Sequence, residues 1–255
     1  MLIKIAHDRQ GLGNFSATRA AEILKSALQA QPRARLVVAT GSSQFEVLES
    51  LIQQPGIDWA RVDGFHLDEY LGLPKEHPAS FCGYLAERFV DRIPIGTFHF
   101  LNGMGDPDLV VAEATRQWRL APIDLAMIGI GENGHLAFND PPADFHTTET
   151  YHVVSLDQAC RNQQVGEGWF PNLESCPTQA ISMTIHAIMQ SRKIICSVPD
   201  SRKADAVVKS VEGPITSAVP GSKLQEHPDV LLVLDDSSSA GLSKLRESQL
   251  PGAQR

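Results

Sequence analysis

Residues 123–141 read IDLAMIGIGENGHLAFNDP, an apolar run from Ile123 to Ile130 that stops at Gly131-Glu132-Asn133-Gly134-His135, with Asn139 and Asp140 close behind. A short apolar run bounded by glycines fits a strand buried on both faces, as parallel sheets require. Gly129, Gly131 and Gly134 let the backbone turn tightly and approach a ligand. His135 therefore falls just past the carboxyl end of a core strand, with Asp140 five residues on. Open α/β sheets bind their ligands beyond that end. Taken singly, the motif is equally a glycine turn bearing a surface histidine.

The pattern recurs. Residues 35–39 (RLVVA) run into Thr40-Gly41-Ser42-Ser43, and Phe45, Leu48 and Ile52 then mark a helix. A weaker strand at 64–67 leads into Asp68-Glu69-Tyr70. Residues 193–198 (KIICSV) reach Pro199-Asp200-Ser201-Arg202-Lys203 and a helix carrying Ala204, Val207, Val208 and Val211. Strand ends thus carry a phosphate-type loop, an acidic pair, a histidine with a carboxylate, and a lysine. On a doubly wound sheet these would converge on one rim. Further strands are expected at 2–6, 97–101, 151–154, 180–185 and 230–234, and helices at 14–31 (with Ser16 as N-cap), 80–90 and 108–119. The alternation predicts an α/β fold: a single Rossmann-like, doubly wound, mostly parallel sheet with helices on both faces. No repeat or linker interrupts it, so residues 1–255 are expected to form one domain. Segment 162–177 reads as loop, and the serine-rich tail after Ser237 is expected to fray.

Composition narrows the function classes. Hydrophobic residues make up 42% of the chain and the formal charge is −8, without a basic run, which argues against nucleic acid as a partner. No apolar run approaches the ~20 residues that cross a bilayer, and the N-terminus is polar too early for a signal peptide. Cys82, Cys160, Cys176 and Cys196 lack CxxC spacing and read as free thiols of a cytoplasmic protein. Self-association is left open.

The backbone N–H groups and hydroxyls of Thr40-Gly41-Ser42-Ser43, at a helix start, suit a phosphate. The same loop would also serve as a plain N-cap, and it has neither Walker nor GxGxxG spacing. Asp68 can exchange a proton with a substrate carbon if partial burial tunes it. His135 is the best acid/base candidate, Asp140 can fix its tautomer, and Asn133 can orient either group. The histidines show no HxH or HExxH spacing, so no metal is expected. Nor is there a GxSxG elbow to make Ser42 or Ser43 a nucleophile.

Two long motifs, DEYLGLPKEHP at 68–78 and GIGENGHLAFNDP at 129–141, resemble signatures of the glucosamine-6-phosphate deaminase/isomerase family, which is related to the 6-phosphogluconolactonases. The similarity extends through Ser201-Arg202-Lys203-Ala204 and Val211-Glu212-Gly213 to nearly the whole chain. It implies that glucosamine 6-phosphate and water become fructose 6-phosphate and ammonia without a cofactor. It further implies that His135 assists ring opening, Asp68 carries a proton from C2 to C1, and Gly41, Ser42, Ser43 and Lys203 hold the phosphate. A galactosamine 6-phosphate deaminase or a lactonase is the enzymatic alternative. A sugar-phosphate-binding regulator is the non-enzymatic one.

The chain departs from the family pattern at three places. Asp140 stands where many members carry glutamate, so its contact with His135 is expected to be looser or bridged by water. Asn133 replaces the aspartate of some members. Gly168 falls where the family has a phosphate-binding arginine, a loss on the order of 1.5–3 kcal/mol unless compensated, and Arg161 is the nearest substitute in sequence. Allosteric members use basic residues after the AFN segment, whereas residues 144–152 contain no Lys or Arg. N-Acetylglucosamine 6-phosphate is therefore expected to leave turnover unchanged. Activation by it in a titration would contradict this.

Overall fold

A computed structural model of the protein describes residues 1–243; the remainder of the tail, 244–255, lies outside the described residues. The chain opens with β1 (Leu2–Ala6), α1 (Arg9–Ala30), β2 (Ala34–Val38) and α2 (Phe45–Ile52). β3 (Val62–His66), β4 (Asp68–Tyr70), α3 (Phe81–Arg88), β5 (Thr97–His99), α4 (Pro107–Trp118) and β6 (Leu125–Ile128) follow. The C-terminal part holds β7 (Tyr151–Ser155), α5 (Gln158–Gly166), β8 (Gln179–Met183), α6 (Ile185–Met189), β9 (Ile194–Val198), α7 (Ala204–Glu212) and β10 (Val230–Asp235).

Seven strands form a sheet in the order β1-β10-β9-β6-β2-β3-β5, with every pairing parallel. Every residue of β2, β6, β9 and β10 is buried, which accounts for their largely apolar sequences. Side chains alternate between the two faces. Leu36, Val38, Leu125 and Met127 pack with Leu24 of α1, Leu48 of α2 and Leu85 of α3. Val37, Ala126, Ile128 and Cys196 pack with Ala114 of α4, Ile188 of α6 and Val207 of α7. From β2 the chain steps outward to β3 and β5, then returns through β6 to β9 and β10. Neighbours β2 and β6 therefore flank the point where the strand order reverses, and a crevice opens there beyond their carboxyl ends.

The expected parallel architecture stands, with one addition. β4, β8 and β7 form a separate antiparallel sheet in that order. At Leu67 the chain leaves the main sheet: its N–H still bonds Val38, while its carbonyl accepts from Met183 at the end of β8. Asp68 consequently begins an edge strand at a corner between the two sheets.

Three local expectations are corrected. Helix α1 starts at Arg9, capped by Asp8, whose side chain accepts from the Gly11 N–H, so Ser16 is not a cap. Ser16 lies buried in mid-helix with its Oγ 2.9 Å from that of Ser197. The segment taken as loop from 162 holds the second half of α5, which is N-capped by Asp157. In the described part of the tail, Ser237 and Ser238 bond Asp235, and Ser243 bonds Glu212, so it is docked to its last strand and to α7.

Gly13 of α1 faces α2 at close range: a Cβ there would lie 2.6 Å from backbone of Glu46. Backbone cannot rotate aside as a flexible side chain can. Gly13→Ala is thus expected to destabilise by about 1–3 kcal/mol from overpacking, against the helix propensity gained. A urea unfolding midpoint equal to or above that of the parent would contradict it.

Candidate active site

The crevice at the reversal point is lined by Gly41, Ser42, Ser43, Asp68, Phe81, Gly131, His135, Phe138, Gln163, Gln164, Glu167 and Lys203, among others. Six of the eight residues singled out in the sequence line this pocket. Asn133 and Asp140 do not; they stand behind His135.

Three residues past β2 comes Gly41 at φ 89°, a left-handed value that suits glycine, and a turn of 3-10 helix over Ser42–Gln44 leads into α2. This turn points Ser42, Ser43 and a helix start at the pocket. Lys203 closes a second 3-10 turn, Ser201–Lys203, just before α7, and is 5% exposed.

Asp68 and Glu69 have opposite fates because successive residues of a strand face opposite ways. Asp68 turns to the pocket. Glu69 turns to the start of α3, where it accepts from the N–H groups of Tyr70 (2.8 Å), Phe81 (3.2 Å) and Cys82 (2.6 Å) and from the Ser80 hydroxyl (3.1 Å). The Phe81 and Cys82 N–H groups are donors that a helix leaves without intrahelical partners, so Glu69 fastens β4 to α3. Burial, then the adjacent Glu69 charge, pushes the Asp68 carboxyl up to about 8. Such a group can take and return a proton near neutral pH, where an ordinary aspartate is too weak a base.

His135 owes its position to glycine. A Cβ on Gly131 would lie 2.2 Å from the imidazole ring, so the ring rests on bare backbone. The His135 N–H donates to Oδ1 of Asn133 at 3.0 Å, and Asn133 in turn donates to Asp140 at 3.1 Å. Asp140 Oδ1 lies 3.1 Å from His135 Nδ1. No acceptor is aligned with the Nδ1–H direction well enough for a hydrogen bond, so the contact is best described as electrostatic. The expected water bridge is not needed at this separation, despite the shorter side chain. Burial opposes ionisation of Asp140, but His135, Asn133 and the Asp157 N–H outweigh it and hold the carboxyl below the usual aspartate range. It is therefore a fixed negative charge beside the imidazole. Asn139, further along the motif, bonds the carbonyls of Leu136 and Met183, fixing the loop to β8.

Arg161 is not the substitute for the missing arginine: its guanidinium bonds the carbonyls of Leu173 and Cys176, away from the pocket. Gln163, Gln164 and Glu167 were not singled out in the sequence. The glycines at 166 and 168 masked the short helix that carries them to the pocket. Among the described residues, two groups of three side chains have ligand atoms close enough for a cation, His66-Glu69-Cys82 and His135-Asp140-Cys160. In both, burial pushes the thiol up, which disfavours the thiolate a metal needs.

A family model described as glucosamine-6-phosphate isomerases/6-phosphogluconolactonase matches residues 7–232. A glucosamine-6-phosphate deaminase of Streptococcus thermophilus is 37% identical over 223 residues, 87% of this chain and 93% of that one. One from Oenococcus oeni is 34% identical over 231 residues, 88% of this chain and 92% of that one. A solved structure of a monomeric glucosamine-6-phosphate deaminase superposes with a TM-score of 0.86 at 29% identity, covering 94% of this chain and 99% of that chain. A 6-phosphogluconolactonase from Shewanella baltica shares the fold, with a TM-score of 0.77 at 20% identity over 92% of this chain and 97% of that chain.

Asp68 makes stability depend on pH. Its carboxyl rises from 3.8 to about 8 on folding, so across that window the folded chain keeps a proton that the unfolded chain gives up. Stability attributable to this group is present at low pH and is lost as pH rises towards 8. Asp68→Asn, which carries no such proton, is expected to melt higher than the parent at pH 8, by at least roughly 2–4 °C, the shift one kcal/mol gives in a chain of this size. The gain should vanish near pH 4. A melting difference that is constant with pH would sink the assignment.

Proposed function

The chain belongs to the family of glucosamine-6-phosphate isomerases and 6-phosphogluconolactonases, and within it we propose that this protein is a deaminase. It converts glucosamine 6-phosphate and water to fructose 6-phosphate and ammonia. The observation that carries the reading is the buried Asp68 carboxyl, pushed up to about 8, facing the same pocket as His135 and an anion-binding turn.

The substrate's phosphate goes to the turn at Gly41, Ser42 and Ser43 and to Lys203, far enough from C1 and C2 to serve as a handle. Binding energy from that end orients the sugar for proton transfer. His135 moves a proton between the anomeric hydroxyl and the ring oxygen, opening the pyranose to the aldehyde. Asp140 stabilises the imidazolium that forms on the way, and Asn133 holds both groups in register.

Asp68 then removes the proton from C2, and the released electron pair forms the C1–C2 double bond of an enolamine while the aldehyde oxygen gains a proton. Asp68 returns its proton to C1 as the nitrogen lone pair forms a C2–N double bond. Water adds to that imine and ammonia leaves, giving the ketose. The substrate's own aldehyde takes up the electron pair released at C2 and its nitrogen supplies the lone pair for the second step, so the scheme requires no added cofactor. The four cysteines are free and buried, which supports a reducing, cytoplasmic setting.

Ammonia release from glucosamine 6-phosphate, with a chelator present and galactosamine 6-phosphate alongside, tests the reading. Release from the glucosamine compound is expected, with kcat/KM rising as Asp68 ionises and an acid limb near the value of about 8 set by burial. Asp68→Asn should abolish exchange of the C2 proton with solvent while sugar phosphate still binds. Near-normal turnover in that variant would remove the proton-transfer role. Release from neither sugar would remove the deaminase reading.

A further inference from the structure

The anion site is already filled by the protein's own carboxylate. Glu167 accepts from Ser42 Oγ at 3.1 Å, and its other oxygen lies 3.5 Å from Lys203 Nζ. Gln163 Nε2 at 2.8 Å and Trp169 Nε1 at 3.3 Å complete its partners. The pair is sealed from water, with side-chain exposures of 6% for Lys203 and 5% for Glu167. Burial works against its charge, yet Lys203 and these donors hold the Glu167 carboxyl below the ordinary glutamate range.

Three further facts bear on this arrangement. Two groups that would donate to a phosphate, Ser42 and Lys203, are spent on Glu167. The enclosed space left in the pocket is about 80 Å³, far short of the ~300–1,000 Å³ typical of small-molecule pockets. And Glu167 stands between Gly166 and Gly168, where a Cβ would meet nothing within 4 Å, with Gly168 at φ +83°. The segment therefore has both the room and the backbone freedom to withdraw the side chain.

We propose that Glu167 is an intramolecular occupant of the substrate's phosphate subsite, and that it must leave when the substrate binds. A phosphate seated on Ser42 and Lys203 beside an unmoved Glu167 would face a like charge in a water-poor site. Displacement costs free energy that a bare anion cannot recover. A sugar phosphate recovers it from contacts along the rest of the pocket. Glu167 is thus a specificity-determining residue that rejects inorganic phosphate and admits the phosphorylated sugar. The inference rests on reading the turn at Gly41 to Ser43 as the subsite for that phosphate.

Calorimetry with inorganic phosphate reads the subsite without any turnover. Wild type, Glu167→Gln and Glu167→Ala are compared after thermal melting confirms folding, with KM for glucosamine 6-phosphate measured alongside. Both variants are expected to bind inorganic phosphate about tenfold more tightly, the scale of one relieved like-charge contact, and KM should fall with it. Phosphate affinity that is unchanged or weaker in the variants overturns the proposal. If neither variant folds, a crystal structure of the wild type in inorganic phosphate decides: Glu167 turned out of the subsite supports it, and phosphate beside an unmoved Glu167 overturns it. Tighter phosphate binding in variants of a protein that releases no ammonia would retain the gate and discard the deaminase. Ammonia release with unchanged phosphate binding would do the reverse.

Discussion

Parallel pairing of β2, β6 and β9 is the constraint from which the site follows. Parallel neighbours point their carboxyl ends the same way, so the turns after Val38, Ile128 and Val198 are delivered to one edge although well over a hundred residues separate the first from the last. Burial on both faces keeps these strands from shifting register, since any slip would exchange the α1 face for the α7 face. The turn with Ser42, the loop with His135 and the turn with Lys203 are therefore held by the most rigid part of the molecule. Asp68 arrives differently, on the edge of the small antiparallel sheet, and Glu69 ties that sheet to the start of α3 through three donors. The separation has a use: a carboxylate on a core strand of the main sheet would be desolvated without access to substrate, whereas at the corner it is buried yet open to the pocket.

The two carboxylates proposed to take part in proton transfer are shifted in opposite directions by their surroundings. Burial is the largest influence on both Asp68 and Asp140. Asp68 has only the Glu69 charge in addition, which reinforces burial, so it holds its proton. Asp140 has His135, Asn133 and a backbone N–H, which reverse burial, so it remains an anion. One group can therefore shuttle a proton while the other stays charged to support an imidazolium. Divergent environments for chemically identical side chains are what acid–base catalysis requires of a pocket.

The main sheet was readable because its strands are continuous apolar runs ending in glycine or hydroxyl turns, a signal that is local in sequence. Residues 125–128, 194–198 and 230–235 lie where the pattern put them. The second sheet was not readable, since β4 is three residues long and its pairing with β8 spans more than a hundred positions. Ser16 misled because a serine before an apolar stripe resembles a cap; Asp8 starts the helix earlier, and Gly13, which argues against helix, permits the close approach of α2. Asp68, His135, Ser42, Ser43 and Lys203 were recognisable from residue type and strand-end position. Glu167 was not, because nothing local distinguishes a pocket carboxylate from a solvated one. Only the fold brings it to Lys203, thirty-six positions on.

Gly168 and Glu167 are best understood together. At φ +83° an L side chain is strained, so an arginine at 168 would require a different backbone path through 166–169. With glycine there, the chain can turn Glu167 inward, and its carboxylate neutralises Lys203 in the absence of substrate. Without Glu167, a buried lysine would sit beside hydroxyls with no counter-ion, a costly arrangement until substrate arrives. A second cation would make that worse. Glycine at 168 and a carboxylate beside Lys203 both move the pocket towards electroneutrality, and on the proposed reading both weaken its hold on a lone phosphate. Selectivity for the whole sugar phosphate over its phosphate alone then follows from charge balance in the empty site, with no change to the groups that perform the chemistry.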